Sequence, residues 1–169
     1  VGPKRQAEKS VSSVSDQGAP SAGWFEGREH FLPVRVYYED TDFTGVVYHA
    51  NYVRYFERGR SDFLRLAGVG HADLLDREDP AAFVVTSLQI DFKRPGKIDD
   101  ALLVKTTYDV FRGAKLEVSQ SLWRGDTLLA TAEVHAACIH LDGRPRRPPA
   151  VLGEKLSGFL LPAAAAPRP

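Results

Sequence analysis

The sequence predicts an α+β domain in which one long helix is wrapped by a mostly antiparallel sheet of five strands. Two observations carry this. A single stretch has helical period: Tyr52, Tyr55, Phe56, Gly59, Phe63, Leu66 and Ala67 recur at spacings of three and four and form one apolar stripe. Downstream of it the period changes to two in four successive segments, separated by turn residues. A lone amphipathic helix beside a half-apolar sheet buries both apolar faces most economically when the sheet covers the helix.

Taken in order, residues 1 to about 24 are rich in Ser, Gly, Pro and Lys, lack apolar periodicity, and read as a disordered tail. A first strand is expected from about His30 to Tyr38, followed by the loop EDTDFTGVVY and then the helix. Arg54, Glu57, Arg58, Ser61, Asp62 and Arg65 fall largely off the helix's apolar stripe, and Gly68 is placed to end it in a left-handed conformation. Gly59 lies on the stripe itself. Glycine costs about 1 kcal/mol in a helix interior, so a close approach of helix to sheet is expected there. The alternating sets begin at Val84, Leu102, Leu116 and Leu128, and the last runs as a long strand to Cys138. The breaks carry Pro95-Gly96, Gly113 and Gly125-Asp126, which predicts antiparallel hairpins. Pro149 to Leu160 suits a short closing helix. The expected organisation is one domain over residues 25–161, with a second tail over 162–169. Its open sheet edge favours pairing with a second copy.

The length of 169 residues favours one domain, and a chain that is 43% hydrophobic and 26% charged has an ordinary globular balance. Formal net charge is zero, which argues against a nucleic-acid binder. The single cysteine, Cys138, cannot form an internal disulfide. No apolar run reaches the ~18 residues of a membrane span, so no membrane insertion is expected. With no apolar signal segment visible at the start, the cytoplasm is the default expectation.

Chemistry concentrates between Tyr37 and Arg60, in YYEDTDFTGVVYHANYVRYFERGR. The loop holds two acids, Asp40 and Asp42, then Gly45, and places His49 at the helix start. Amides of residues 48–51 would be unpaired there, and together with the helix dipole they attract developing negative charge. A carboxylate facing such amides supplies a base or nucleophile opposite an oxyanion donor, the pair that acyl transfer needs. Spacing alone leaves other readings open: Asp42 as a turn cap, His49 as a structural histidine, and Asn51 as a partial helix N-cap.

Asp40 to Gly45 also has the D-x-D-x-x-G opening of a calcium loop. The twelfth position, however, is Asn51 rather than the bidentate Glu that loop requires. No G-x-S-x-G elbow, P-loop or dinucleotide fingerprint occurs. Cys138 sits on an apolar alternating face, and His135 and His140 fall on opposite faces of a strand, so neither a thiol nucleophile nor a zinc site is supported. No metal and no organic cofactor is expected.

The stretch VRVYYEDTDFTGVVYHANYVRYFERGRSDFLR resembles the signature of the Tol–Pal-associated acyl-CoA thioesterases, within the 4-hydroxybenzoyl-CoA thioesterase-like hot-dog family. AFVVTSLQIDFKRPGKIDD is similar to that family's second strand and following turn, and the likeness extends over about residues 31–150. The resemblance implies a hot-dog fold and hydrolysis of acyl-CoA. It implies Asp42 as the catalytic carboxylate, His49 with its backbone amide as the carbonyl-polarising donor, and Tyr38 in the same pocket. Gly45, Val46, Val47 and Tyr48 would line the substrate path. For the CoA phosphates Arg112 and Lys115 are the first candidates and Lys93 and Arg94 the second, against a solvated hairpin end for each. The implied assembly is a homodimer or a dimer of dimers, with association to the Tol–Pal machinery or to an acyl carrier.

Asp42 would act as general base toward water or as nucleophile, and sequence does not choose between them. Two rival functions stand beside hydrolysis: a hot-dog acyl-thioester hydratase or dehydratase, and a non-catalytic acyl-CoA-binding partner in cell-envelope upkeep.

Overall fold

A computed structural model describes residues 22–162. Of the tails expected over residues 1 to about 24 and 162–169, positions 1–21 and 163–169 lie outside the described residues. The elements run β1 (Trp24–Glu26), β2 (Glu29–Arg35), α1 (His49–Leu66), α2 (His71–Leu75), β3 (Ala82–Phe92), β4 (Ala101–Tyr108), β5 (Lys115–Arg124), β6 (Thr127–Ile139) and α3 (Ala150–Leu156). One antiparallel sheet has the order β1-β2-β4-β5-β6-β3, and α1 packs across it.

The sheet has six strands rather than five. Trp24, assigned by sequence to the tail, opens β1, because its ring stacks on Phe31 of β2 at 5.6 Å and Phe25 packs edge-on against Phe63. Three residues are too few to show a period, so β1 left no signal. The first expected strand ends at Arg35 instead of Tyr38, because Tyr38–Asp40 turn into a short 3-10 segment.

The helix stripe packs as expected except at its end, where Leu66 is exposed: Tyr55, Phe56 and Phe63 are fully buried, against Val104, Val118, Leu122 and Val134 of the sheet. A Cβ at Gly59 would stand 2.7 Å from Val104 Cγ1 and 2.9 Å from Thr106 Oγ1, so the helix touches the sheet there with its backbone. Gly68 ends α1 at φ +81°. Thr106 and Gln120 lie on the core face of the sheet. The Gln120 amide nitrogen donates to Thr106 Oγ1 and to the Phe56 carbonyl, while its oxygen accepts from Arg60 at 2.8 Å.

β3 departs from expectation in two ways. It does not form a hairpin with β4 but pairs with β6 at the far edge, from Ala82↔Ile139 to Phe92↔Ala130. The connection from Lys93 to Asp100 is too long for a tight turn. It crosses instead beneath the start of α1, where the Gly96 amide donates to Tyr52 Oη and the Val47 amide donates to the Gly96 carbonyl. Secondly, the apolar alternation of β3 is only partly buried: Leu88 and Ile90 pack against the core, whereas Val84 and Phe92 are exposed.

Candidate active site

The loop before α1 is shaped by hydrogen bonds from its own acids. Asp40 is buried, and its carboxylate accepts from the Tyr37 amide at 2.8 Å. Its carbonyl accepts from the Tyr48 amide at 2.9 Å and from Asn51 Nδ2 at 2.8 Å. Asn51 therefore pins the loop to the helix from its first turn and does not cap it. The N-cap residue is Tyr48, which provides no side-chain cap. Burial first, then the neighbouring Asp40 carboxylate, push the Tyr55 phenol well above its ordinary value, and its hydroxyl makes no hydrogen bond of ordinary geometry.

Beyond Asp40 the chain doubles back. Thr41 bridges Val47, the Asp42 amide donates to the Val46 carbonyl, and the Gly45 amide donates to the Asp42 carbonyl. Gly45 takes φ +78° at this turn, a left-handed conformation that favours glycine. The partly exposed Asp42 carboxylate uses only Oδ1 within the loop, accepting from the Thr44 amide at 2.8 Å and the Thr44 hydroxyl at 2.5 Å. Those two bonds lower its pKa below the usual carboxylate value. Oδ2 has no hydrogen-bond donor among the described residues. Asp42 thus caps its turn with one oxygen and keeps the other available.

At the helix start the amides of His49 and Ala50 make no hydrogen bond among the described residues, and the Asn51 amide donates to the Tyr48 carbonyl. The His49 ring is exposed and packs against the Tyr48 ring at 4.4 Å. A shallow cleft of about 280 Å³ opens here, lined by Val47, His49, Tyr52, Phe92, Lys93 and Arg94. Val46 bridges Lys97, and buried Val47 seals the floor.

The structure holds Asp42, Gly45, Val46, Val47, Tyr48 and His49 on one doubled-back loop and the helix start, with Val47 and His49 lining the cleft and Asp42 outside its lining, and it separates others. The Tyr38 ring stands 83% exposed on the outside of its turn. Arg112 and Lys115 bridge each other at the β4–β5 turn. That turn lies at the Ala82 end of the sheet, because Lys115 pairs with Ala137, which pairs with Val84. At ~3.3 Å per residue along β5, this is roughly 25 Å or more from the end that holds His49. Within one chain, the second candidates Lys93 and Arg94 are the cations at the cleft. The Tyr52–Gly96 bond and Phe92 were not singled out in the sequence. The K-R-P-G-K break was visible, but its passage beneath α1 depends on strand order.

A family model described as the thioesterase-like superfamily matches residues 36–156. The chain belongs to this superfamily. Its similarity to an acyl-CoA thioesterase YbgC of Haemophilus influenzae is 46% identity over 110 residues, 65% of this chain and 80% of that protein. It is 40% identical over 119 residues to an acyl-CoA thioester hydrolase YbgC of Escherichia coli, covering 69% of this chain and 87% of the relative. Among solved structures, a probable thioesterase of Bartonella henselae is 43% identical with a TM-score of 0.69, covering 72% of this chain and 99% of that one. These neighbours carry the hot-dog fold. The span of this thioesterase-like chain that matches the family includes the Asp42 loop, α1 and every strand from β3 to β6.

Proposed function

We propose that this chain hydrolyses the thioester bond of acyl-CoA, releasing a free acid and CoA. One observation carries the reading: a carboxylate with an unclaimed oxygen, Asp42 Oδ2, on a loop laced to a helix start whose first two amides are unpaired. A thioester carbonyl placed at the His49 amide is polarised by that donor and by the helix dipole, and the pull strengthens as charge develops on oxygen. Asp42 then takes a proton from attacking water or attacks the carbonyl carbon itself. Thr44 keeps it ionised for either role. The activity of the YbgC relatives supports the reaction type.

The exposed apolar edge of β3 supports a dimer, formed by antiparallel pairing of two such edges. A two-fold there sets the Ala82 end of one copy beside the Phe92 end of the other. Arg112 and Lys115 of the second copy would then approach the cleft of the first, on the side of Lys93 and Arg94, where the CoA phosphates could be held. The association with the Tol–Pal machinery or an acyl carrier that the resemblance implies belongs to the same proposal, and co-purification with either tests it. Among the described residues no helix is long and apolar enough to cross a membrane.

The test is a panel of short, long and aromatic acyl-CoAs with colorimetric detection of released thiol. Wild-type protein releases thiol, and Asp42→Asn lowers turnover by about 100-fold or more, the scale of a lost acid–base group. Thiol release at near wild-type rate by Asp42→Asn overturns the role of Asp42. No release from any acyl-CoA overturns the activity.

A further inference from the structure

Asp40 and Asn51 are both buried, and a single atom joins them: the Asp40 carbonyl oxygen. It accepts from Asn51 Nδ2 at 2.8 Å and from the Tyr48 amide at 2.9 Å. Both lone pairs of that oxygen are therefore claimed. The two donors bracket His49, one on the residue before it and one in the first turn of α1. Between them lie the amides of His49 and Ala50, which make no hydrogen bond among the described residues.

An ordinary helix start is held the other way round. A capping side chain accepts from the second or third amide of the helix and so occupies a free donor. Tyr48 at the N-cap offers no such acceptor. Here a side chain inside the helix donates outward to the loop, which fixes the helix start and leaves its first two amides open. On the other side of the same carbonyl, the chain reaches Asp42 through Thr41 alone. The Thr41 hydroxyl and amide donate to the Tyr38 carbonyl at 2.9 Å and 3.2 Å, and Thr41 bridges Val47, so that short path is tied down. The Asp40 carboxylate closes the turn from below by accepting from the Tyr37 amide at 2.8 Å.

We propose that Asp40 and Asn51 are positioning residues: together they lock the loop to the helix start without consuming its open amides, and so set the Asp42 carboxylate against the His49 amide. This rests on the hydrolysis reading above. Neither side chain is assigned contact with the thioester. A misplacement of about 1 Å between reacting groups can cost about 100-fold in rate, so a lost tether is read in kcat rather than in binding.

Thiol release is measured across pH for wild-type protein, Asn51→Ala, Asp40→Ala and Asp40→Asn, with rates taken per folded molecule and the thermal midpoint recorded for each. Asn51→Ala should lower kcat by about 10- to 100-fold and leave KM for acyl-CoA unchanged. The acid limb of kcat/KM should stay in place, because the two Thr44 bonds to Asp42 are untouched. Asp40→Ala should lose rate in the same way, whereas Asp40→Asn keeps an oxygen for the Tyr37 amide and should recover most of it. Asn51→Asp keeps the shape of the side chain and removes only its donor, so it tests the same bond if Asn51→Ala does not fold. A lowered midpoint with unchanged kcat makes the tether merely structural and overturns the proposal. So does a loss expressed in KM, and so does an acid limb that disappears in Asp40→Asn, which would make Asp40 the ionising group. Absence of thiol release from wild-type protein overturns the hydrolysis reading and this inference with it; wild-type release with kcat intact in both Asn51 variants overturns this inference alone.

Discussion

Asp42 and Asp62 lie near opposite ends of α1 and use their carboxylates in opposite ways. Asp62 is buried and saturated: Oδ2 accepts from the Gly23 amide at 2.8 Å and from His30 Nε2 at 2.9 Å, and Oδ1 pairs with Arg65. His30 is fully buried, and burial, reinforced by the Arg65 charge, lowers its pKa to about 4. It is therefore neutral in the fold near pH 7 and donates through Nε2, leaving Nδ1 without a partner. Asp42 is partly exposed and spends one oxygen on Thr44. The contrast shows how one residue type serves two ends. A buried carboxylate with both oxygens claimed positions chains, whereas one held by a single oxygen in contact with water can still act on another molecule.

That contrast breaks in graded ways. The largest effect separates the two acids directly. Asp42→Asn should remove most turnover yet leave the thermal midpoint within a few degrees. Asp62→Ala should cost about 1–3 kcal/mol of stability for each donor it strands, His30 Nε2 and the Gly23 amide, while activity per folded molecule persists. Chemical denaturation paired with thiol release measures both. If Asp62→Ala loses turnover without losing stability, the division is wrong.

Gly59→Ala probes the middle of the helix. In an exposed helix it would stabilise by about 1 kcal/mol. Here the new methyl meets Val104 and Thr106 below 3.0 Å, and overpacking of this kind costs about 1–3 kcal/mol. The expected sign is destabilising, read from a urea midpoint. The smallest effect sharpens the role of Thr44. Its two bonds hold Asp42 ionised to lower pH than an ordinary carboxylate. Thr44→Val removes the hydroxyl bond and should move the acid limb of the kcat/KM profile upward in pH, with activity above that limb largely kept. A limb that stays in place would detach Asp42 ionisation from the rate.

The helix and the site loop were legible in sequence for different reasons. The stripe from Tyr52 to Phe63, the glycine within it and the left-handed Gly68 follow from local period and backbone sterics, and all three are found. The strands β4, β5 and β6 were legible because one of their faces is buried, which leaves alternation in the sequence. β3 alternates too, but its partner is β6, and no local rule separates a Pro-Gly hairpin from a Pro-Gly crossing. The two-sided character of Asp42 could not be read either. Whether Thr44 takes one of its oxygens or both depends on how the chain doubles back at Gly45. Arg112 and Lys115 sit in an obvious basic turn, yet which end of the sheet that turn occupies is a property of strand order.

The Lys93–Asp100 crossing has a consequence for how the molecule is assembled. The floor under the first turn of α1 is supplied by Gly96, more than forty positions downstream, through its bonds to Tyr52 and Val47. A nascent chain can wind the helix and turn the Asp42 loop from local interactions, but the bonds from Val47 and Tyr52 to Gly96 form only once the crossing segment after β3 has been brought under the helix. Long-range closure of this kind comes late and slowly. The floor beneath the proposed site is therefore a late feature, and a partly folded chain would carry the helix and its loop without that floor.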